Sequence, residues 1–88
     1  MLKGKTESGF CFEINEKDLD DMEFVEALAE LEENSLKLPK VCNMLLGKEQ
    51  KEKLYDHLRD ENGKVPVDAV SNAIVEIMLV AGESTKNS

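Results

Sequence analysis

The residues best suited to catalysis are few and scattered along this sequence. The only histidine, His57, follows Asp56, and the candidate nucleophiles, among them Ser35 and Ser71, stand at unrelated positions. Nucleophilic catalysis needs a base within hydrogen-bonding reach of the nucleophile and a third group that orients the base. Because the spacing supports no such triad, we expect no catalytic residues and interpret His57 as a solvent-facing helix residue.

The two cysteines, Cys11 and Cys42, are far apart and lack the close spacing that is typical of metal-binding pairs. Free cysteines are usually buried and stay reduced inside the cell. We therefore predict two buried thiols in a reducing compartment, with no disulfide and no metal site.

The acidic segment 59–65 looks like part of a calcium-binding loop, because Asp60 and Asn62 could supply oxygen ligands beside Gly63. With Gly63 at the sixth loop position, however, the loop would begin at Leu58 and end at Ala69. Both terminal ligands, the first carboxylate and the bidentate glutamate, would then be missing. The segment is interpreted as an acidic turn that ends a helix.

Ser35 is the one candidate for a covalently attached group. An acidic chain of this size is similar to acyl carrier proteins, which carry their prosthetic group on a serine that opens a helix. The residue before Ser35 is Asn34 where those proteins have aspartate, and Pro39 is expected to break the following helix. We interpret Ser35 as a cap or turn residue and predict no cofactor, with a carrier protein modified on Ser35 kept as an alternative.

Length and charge limit the classes of partner. The 88 residues suffice for one domain, and 41% apolar with 34% charged residues is typical of a folded chain. Nineteen acidic against eleven basic residues give a net charge of −8, which repels nucleic acids and anionic lipid surfaces. No apolar run approaches the length of a membrane span or a signal peptide. We expect a cytoplasmic protein that binds neither nucleic acid nor membrane.

The hydrophobic pattern predicts an all-α fold, a small bundle of about four helices with a short extended N-terminal arm or strand. Alternating Phe10, Phe12 and Ile14 predict the extended segment. We predict a flexible N-terminus over residues 1–9, a single helical domain over 10–82 and a flexible tail over 83–88.

Four helices follow from capping residues and apolar spacing. The first is predicted from Leu19 to Glu33 with Asp18 as its cap, and the second from Pro39 to about Leu46, in the middle of the bundle. Gly47 is expected to separate it from a third helix, 48–59. The fourth is predicted to begin at Pro66 and to end at Gly82. Two apolar stripes are expected to face the core: Leu19, Met22, Val25, Leu28, Ala29 and Leu31, widened by Phe24 and Ala27, and then Val67, Val70, Ile74, Ile77, Met78 and Ala81.

Two features of the helices favour protein binding. Ten of the nineteen acids lie between positions 13 and 33, so Glu23, Glu26 and Glu30 are either part of a solvated face or a docking surface for a basic partner segment. Val75 and Leu79 lie outside the main stripe of the fourth helix. They are either covered by another element or offered to a partner, which could be a second copy of the chain.

The order of these features resembles a known family. It comprises the Phe-x-Phe-x-Ile arm, an acidic helix, Leu38-Pro39-Lys40, Leu45-Leu46-Gly47, a charged helix, the segment 60–66 and a final amphipathic helix with a polar end. In this order the chain is similar, over residues 10–88, to the small tail assembly chaperones of long-tailed phages and prophages of Gram-positive bacteria.

That resemblance implies a protein without catalytic activity that binds the tape measure protein, and also tail tube subunits, in the host cytoplasm during tail assembly. It implies absence from the mature virion. No binding residue can be transferred from the family, so the expected partner-binding residues, Val75, Leu79, Glu23, Glu26 and Glu30, rest on the pattern alone. The acidic cluster leaves a second alternative, an inhibitor that mimics DNA and blocks a host nucleic-acid enzyme.

Overall fold

The computed structural model describes the backbone of residues 2–86 and the side chains of residues 2–81. A hairpin comes first, and helices make up most of the remaining chain. The elements are β1 (Leu2–Lys5), β2 (Cys11–Ile14), α1 (Glu16–Leu19), α2 (Met22–Glu33), a 3₁₀ turn (Ser35–Lys37), α3 (Leu38–Leu58) and α4 (Val67–Lys86). The predicted fold class, a small and mainly helical bundle with a short N-terminal extended element, is confirmed over this part of the chain.

Residues 2–5 belong to a strand, so the flexible N-terminus predicted for residues 1–9 is wrong there. β1 pairs antiparallel with β2, with Leu2 opposite Ile14 and Lys3 opposite Glu13. The side chains of Leu2 and Ile14 are both buried in the core. The segment is ordered because this pairing satisfies backbone hydrogen bonds while the inner face of the hairpin leaves water.

A tight turn connects the two strands. The Gly9 N–H donates to the Thr6 carbonyl at 3.0 Å, and the Thr6 N–H donates to the Phe10 carbonyl at 2.9 Å. Gly9 has a φ of +98°, the left-handed conformation that closes a hairpin with a bulge. The Thr6 hydroxyl also accepts a hydrogen bond from the Phe10 N–H at 3.1 Å, which accounts for the burial of this polar side chain.

The predicted alternation along β2 is confirmed. Phe12 and Ile14 are buried against the helices, whereas Cys11 and Glu13 face outward. Gln50 of α3 fixes the strand from the side: its Oε1 accepts from the Glu13 N–H at 2.8 Å, and its Nε2 donates to the Glu13 carbonyl at 2.6 Å. The side-chain amide thus replaces a neighbouring strand at the edge of β2.

The start of the first long helix differs from the prediction. The chain departs from helical geometry at Asp20, with φ −91° and ψ 61°. α2 begins after Asp21, whose side chain accepts a hydrogen bond from the Glu23 N–H at 3.0 Å. An aspartate with an extended backbone is a strong helix cap. Asp21 therefore caps this helix, and the prediction that Asp18 does so is wrong.

α2 buries a different face from the one predicted. Phe24 and Ala27 are buried, and Leu28 packs beside them. Met22 and Val25, which the predicted stripe places in the core, are exposed. At 100° per residue, burying Phe24 and Ala27 turns positions 22 and 25 outward, so the phase of the predicted stripe is wrong.

Gly47 interrupts α3, with φ +80° and ψ 164°, as predicted. The half before it lies in the middle of the bundle, which is also confirmed, because five of its side chains are buried: Leu38, Val41, Cys42, Leu45 and Leu46. Pro39 lies in the first turn of α3, where no intrahelical N–H is needed. Ser35 lies in the 3₁₀ turn, and α3 begins at Leu38 with Pro39 in its first turn, so no α-helix runs on from Ser35 through Pro39, as the sequence predicts.

α4 carries the predicted buried stripe over most of its length, with Val70, Ile74, Ile77 and Ala81 in the core. Two details differ. Val67 is exposed at the start of the helix, and the helix continues beyond Gly82 to Lys86. A helical glycine costs only about 1 kcal/mol relative to alanine, so it does not by itself end a well-packed helix. Residues 83–86 therefore belong to α4, and 87–88 lie outside the described residues.

The hairpin and the helices pack around α3. β2 and α2 contact α3, and α4 packs against both α3 and β1. Between residues 2 and 86, none of the helices has the length and apolar character that crossing a membrane requires.

Candidate functional site

Val75 and Leu79 form an exposed apolar ridge on α4. Their side chains are 56% and 63% exposed, and their spacing of four residues places them one above the other on the same face. The sequence left open whether another element covers this ridge. In the structure the core lies on the opposite side of α4, where Ile77 is fully buried. A role of the ridge in partner binding stays a prediction.

Glu23, Glu26 and Glu30 are exposed along α2. The Glu30 carboxylate lies 3.8 Å from the Lys37 ammonium, an exposed ion pair that contributes little to stability. The segment 13–33 holds ten carboxylates and one lysine, whereas nine acids and ten bases leave the remaining chain nearly neutral. The strong negative potential therefore originates from this one segment.

The two halves of the predicted binding surface lie on different helices that the fold does not join directly. The main contacts of α2 are with α3 and the 3₁₀ turn, whereas those of α4 are with α3 and β1. Val75 and Leu79 thus form one candidate contact, and Glu23, Glu26 and Glu30 form a second one. A single partner would have to contact both helices to use both.

Four further large apolar side chains are exposed, and none of them was predicted from the sequence to lie on the surface. They are Met22, Val25, Leu36 and Val67. Leu36 is the most exposed, at 82%. Three of the four were assigned to core stripes. The core side of α2 carries Phe24 and Ala27, with Leu28 and Leu31 partly buried beside them. These residues also recur at helical spacing, so periodicity alone allows either phase.

An apolar groove of about 310 Å³ lies where the 3₁₀ turn, α3 and the start of α4 meet. Its lining includes Leu36, Pro39, Tyr55, Val65 and Val67. Lys51 of α3 stands beside it, with its Nζ 5.8 Å from the centroid of the Tyr55 ring. The groove is open and mostly apolar, and its size suits a few side chains of a protein partner.

Tyr55 connects this groove to the buried thiol of Cys42. Burial raises the pKa of Cys42, although Lys51 and a hydrogen bond with Tyr55 act in the opposite direction. Burial likewise raises the pKa of Tyr55, and the neighbouring Cys42 adds to that effect. A raised thiol pKa keeps the sulfur protonated and unreactive, so Cys42 has a structural environment.

The prediction of two buried thiols is wrong for Cys11, which is exposed on the outer face of β2. The alternation of the strand explains this, because Phe12 and Ile14 take the inward positions. Both cysteines are free.

His57 is exposed, as predicted, but it has specific neighbours. Its Nε2 lies 3.1 Å from the Ser8 hydroxyl, and its ring centroid lies 5.8 Å from that of Phe10. Both partners belong to the hairpin turn and the start of β2. The histidine therefore holds the hairpin against α3, a role that helix periodicity alone does not reveal.

Ser35 is exposed as the first residue of the 3₁₀ turn, at the rim of the groove. The cap of this turn is Asn34, whose side chain accepts a hydrogen bond from the Leu36 N–H at 3.1 Å. Ser35 is thus a turn residue, and the alternative of modification on Ser35 stays a hypothesis.

The acidic turn after α3 is organised by Asp60. Its carboxylate accepts hydrogen bonds from the N–H groups of Asn62 and Lys64 at 2.8 and 3.0 Å, and Gly63 has a φ of +79°. The carboxylate is therefore engaged by the backbone of its own turn. Among the described residues, no three histidine, cysteine or acidic side chains are placed to hold a metal ion together.

No protein-family model, curated protein or solved structure matches this chain.

Proposed function

We propose that this protein is a non-catalytic tail assembly chaperone, which binds the tape measure protein of a long-tailed phage in the host cytoplasm and is absent from the finished virion. The observation that carries the proposal is the exposed ridge of Val75 and Leu79. The family itself comes from the resemblance in the order of sequence features.

The ridge has the geometry of a helix-docking contact. Two branched apolar side chains one helical turn apart can pack against the i, i+3, i+4 stripe of another helix. A tape measure protein is expected to be a long helical chain with exposed apolar stripes. A small acidic domain that covers such stripes would keep this client soluble until the tail tube polymerises around it, and tail tube subunits are a second expected partner.

The acidic helix complements the ridge in this proposal. Glu23, Glu26 and Glu30 would attract basic segments of the client and increase the rate of encounter. Because the acidic face and the ridge lie on different helices, the client would contact both α2 and α4 to use them together.

The test is a pull-down of the tagged full chain from the producing strain after phage induction, with partners identified by mass spectrometry. We expect recovery of a long, helical tape measure protein with the wild type. Val75→Asp and Leu79→Asp should each reduce recovery at least about tenfold, because each places a charge in an apolar contact.

The matched control is Asn72→Asp, which adds the same charge to the exposed side of α4 without removing apolar surface. It should retain the client. Recovery of a host nuclease or polymerase without any tail protein would overturn the proposal in favour of the DNA mimic. An intact mass that exceeds the sequence mass by a phosphopantetheine group would favour the carrier protein modified on Ser35.

A further inference from the structure

The groove and the outer face of α2 are two unpartnered surfaces with complementary chemistry. Met22 and Val25 are 67% and 48% exposed, and Ala29 is exposed one turn further along. Their spacing of three and four residues aligns them in one stripe, which we call the α2 stripe. Both surfaces expose apolar side chains to solvent.

The charges around the two surfaces are opposite. The α2 stripe is surrounded by glutamates, including Glu23, Glu26 and Glu33. Several lysines lie at or next to the residues that line the groove. The Lys51 ammonium lies over the Tyr55 ring. In the sequence, Lys37 lies between two lining residues, and Lys40 and Lys64 are each next to one. Asp68, Asp56, which follows Tyr55 and pairs with Arg59, and the Glu30 partner of Lys37 offset part of this positive charge.

We infer that the chain associates with itself, with the α2 stripe of one copy seated in the groove of a second copy. Met22 and Val25 would fill the apolar groove beside Leu36 and Val67, and the glutamates of α2 would face the lysines. The groove holds only a few side chains, so the association is weak and depends on concentration.

This inference goes beyond the proposed function and does not rest on it. The two share the glutamates of α2, but the ridge of Val75 and Leu79 takes no part in the contact between copies. Substitutions in the ridge and in the groove therefore separate client binding from self-association.

The test is sedimentation velocity of the full chain over a wide range of concentrations. We expect the wild type to associate as concentration rises. Leu36→Asp, in the groove, and Val25→Asp, in the α2 stripe, should each weaken association at least about tenfold. Val75→Asp, which makes the same change on the ridge, should leave association unchanged. Circular dichroism checks that each variant is folded, as expected for substitutions of exposed residues.

The decisive measurement mixes the two defective variants. Leu36→Asp keeps an intact α2 stripe and Val25→Asp keeps an intact groove, so their equimolar mixture should form dimers that neither variant forms alone. A wild type that stays monomeric at the highest concentration overturns the inference. So does a mixture without dimers, or a loss of association in Val75→Asp, which would make the ridge the contact between copies.

Discussion

The two cysteines differ in solvent exposure because they lie in different kinds of secondary structure. Cys42 lies in a helix that is buried on most sides, whereas Cys11 occupies an outward position of a strand. Burial raises the pKa of Cys42, which means that the folded state holds the thiol proton more tightly than the unfolded state does.

This shift predicts how stability depends on pH. The contribution of Cys42 is fully present below the ordinary thiol pKa of about 8.5 and is lost as pH rises through the higher pKa of the folded state. The free energy of unfolding should therefore fall above about pH 8.5, and less so in Cys42→Ala. Urea unfolding at neutral and alkaline pH measures this.

Cys11→Ala is the control, because it removes a thiol that is already exposed. It should follow the wild type at every pH. The prediction fails if Cys42→Ala and the wild type lose the same free energy of unfolding on going to alkaline pH. Tyr55, whose pKa burial also raises, should add a further loss at still higher pH, and this loss should be smaller in Cys42→Ala because Cys42 adds to the shift.

At the residue scale, several positions were predictable because their chemistry is local. Gly47 interrupts α3 because glycine adopts positive φ at little cost, and Pro39 tolerates the first turn of a helix because it needs no N–H there. The cap of α2 was mispredicted. Asp18, Asp20 and Asp21 can all act as caps, and only the path of the chain after β2 selects Asp21.

At the scale of elements, the hairpin depends on a glycine opposite an aromatic ring. Gly4 pairs with Phe12, and a Cβ at position 4 would lie 2.6 Å from the Cζ of the Phe12 ring. The ring therefore occupies the space that a side chain at Gly4 would need. This contact holds Phe12 in the core between the hairpin and the helices.

Gly4→Ala should consequently destabilise the protein by about 1–3 kcal/mol, the usual range for overpacking. Lys5→Ala, on the outer face of the same strand, should change the free energy of unfolding by less than about 0.5 kcal/mol. Chemical denaturation measures both. Phe12→Leu combined with Gly4→Ala should cost less than the sum of the single changes, because the smaller side chain frees space. An unchanged stability in Gly4→Ala would contradict the proposed packing.

The hairpin was only half predicted, and the missing signal lay in the sequence. The strand pattern from Phe10 to Ile14 was recognised because three large apolar residues alternate. The partner strand has only Leu2 as a large inward residue, since Gly4 must be small beneath Phe12. The segment 6–9 with Gly9 at its end is nevertheless typical of a hairpin turn.

At the scale of the whole molecule, charge is divided unevenly. The exposed glutamates of α2 repel one another, since Glu26 is three residues from Glu23 and four from Glu30. This repulsion lowers the stability of the folded protein. A binding role of the acidic face, as proposed above, would give the cluster a function despite that cost.

Glu26→Lys should therefore stabilise the isolated protein, by about 0.5–1 kcal/mol, because it turns two repulsive pairs into attractive ones. It should at the same time weaken capture of the client. Glu52→Lys is the control: position 52 lies four residues from Lys48 and Asp56 and three from Glu49, so the same reversal makes two pairs favourable and one unfavourable and should stabilise less than Glu26→Lys, while leaving capture of the client unchanged. Thermal unfolding and the pull-down measure the two effects. A destabilised Glu26→Lys that retains its client would contradict a binding role.

The sequence by itself determined the mainly helical fold class, the break at Gly47, Val75 and Leu79 as a second apolar face of the last helix, and the concentration of negative charge in 13–33. These follow from local rules, because helix periodicity, glycine conformations and charge are properties of short segments. Only the tertiary structure decided which face of α2 is buried and that Leu36 and Val67 meet across a groove. These features depend on contacts between segments that are distant in the sequence, because apolar residues from several segments compete for places in one small core.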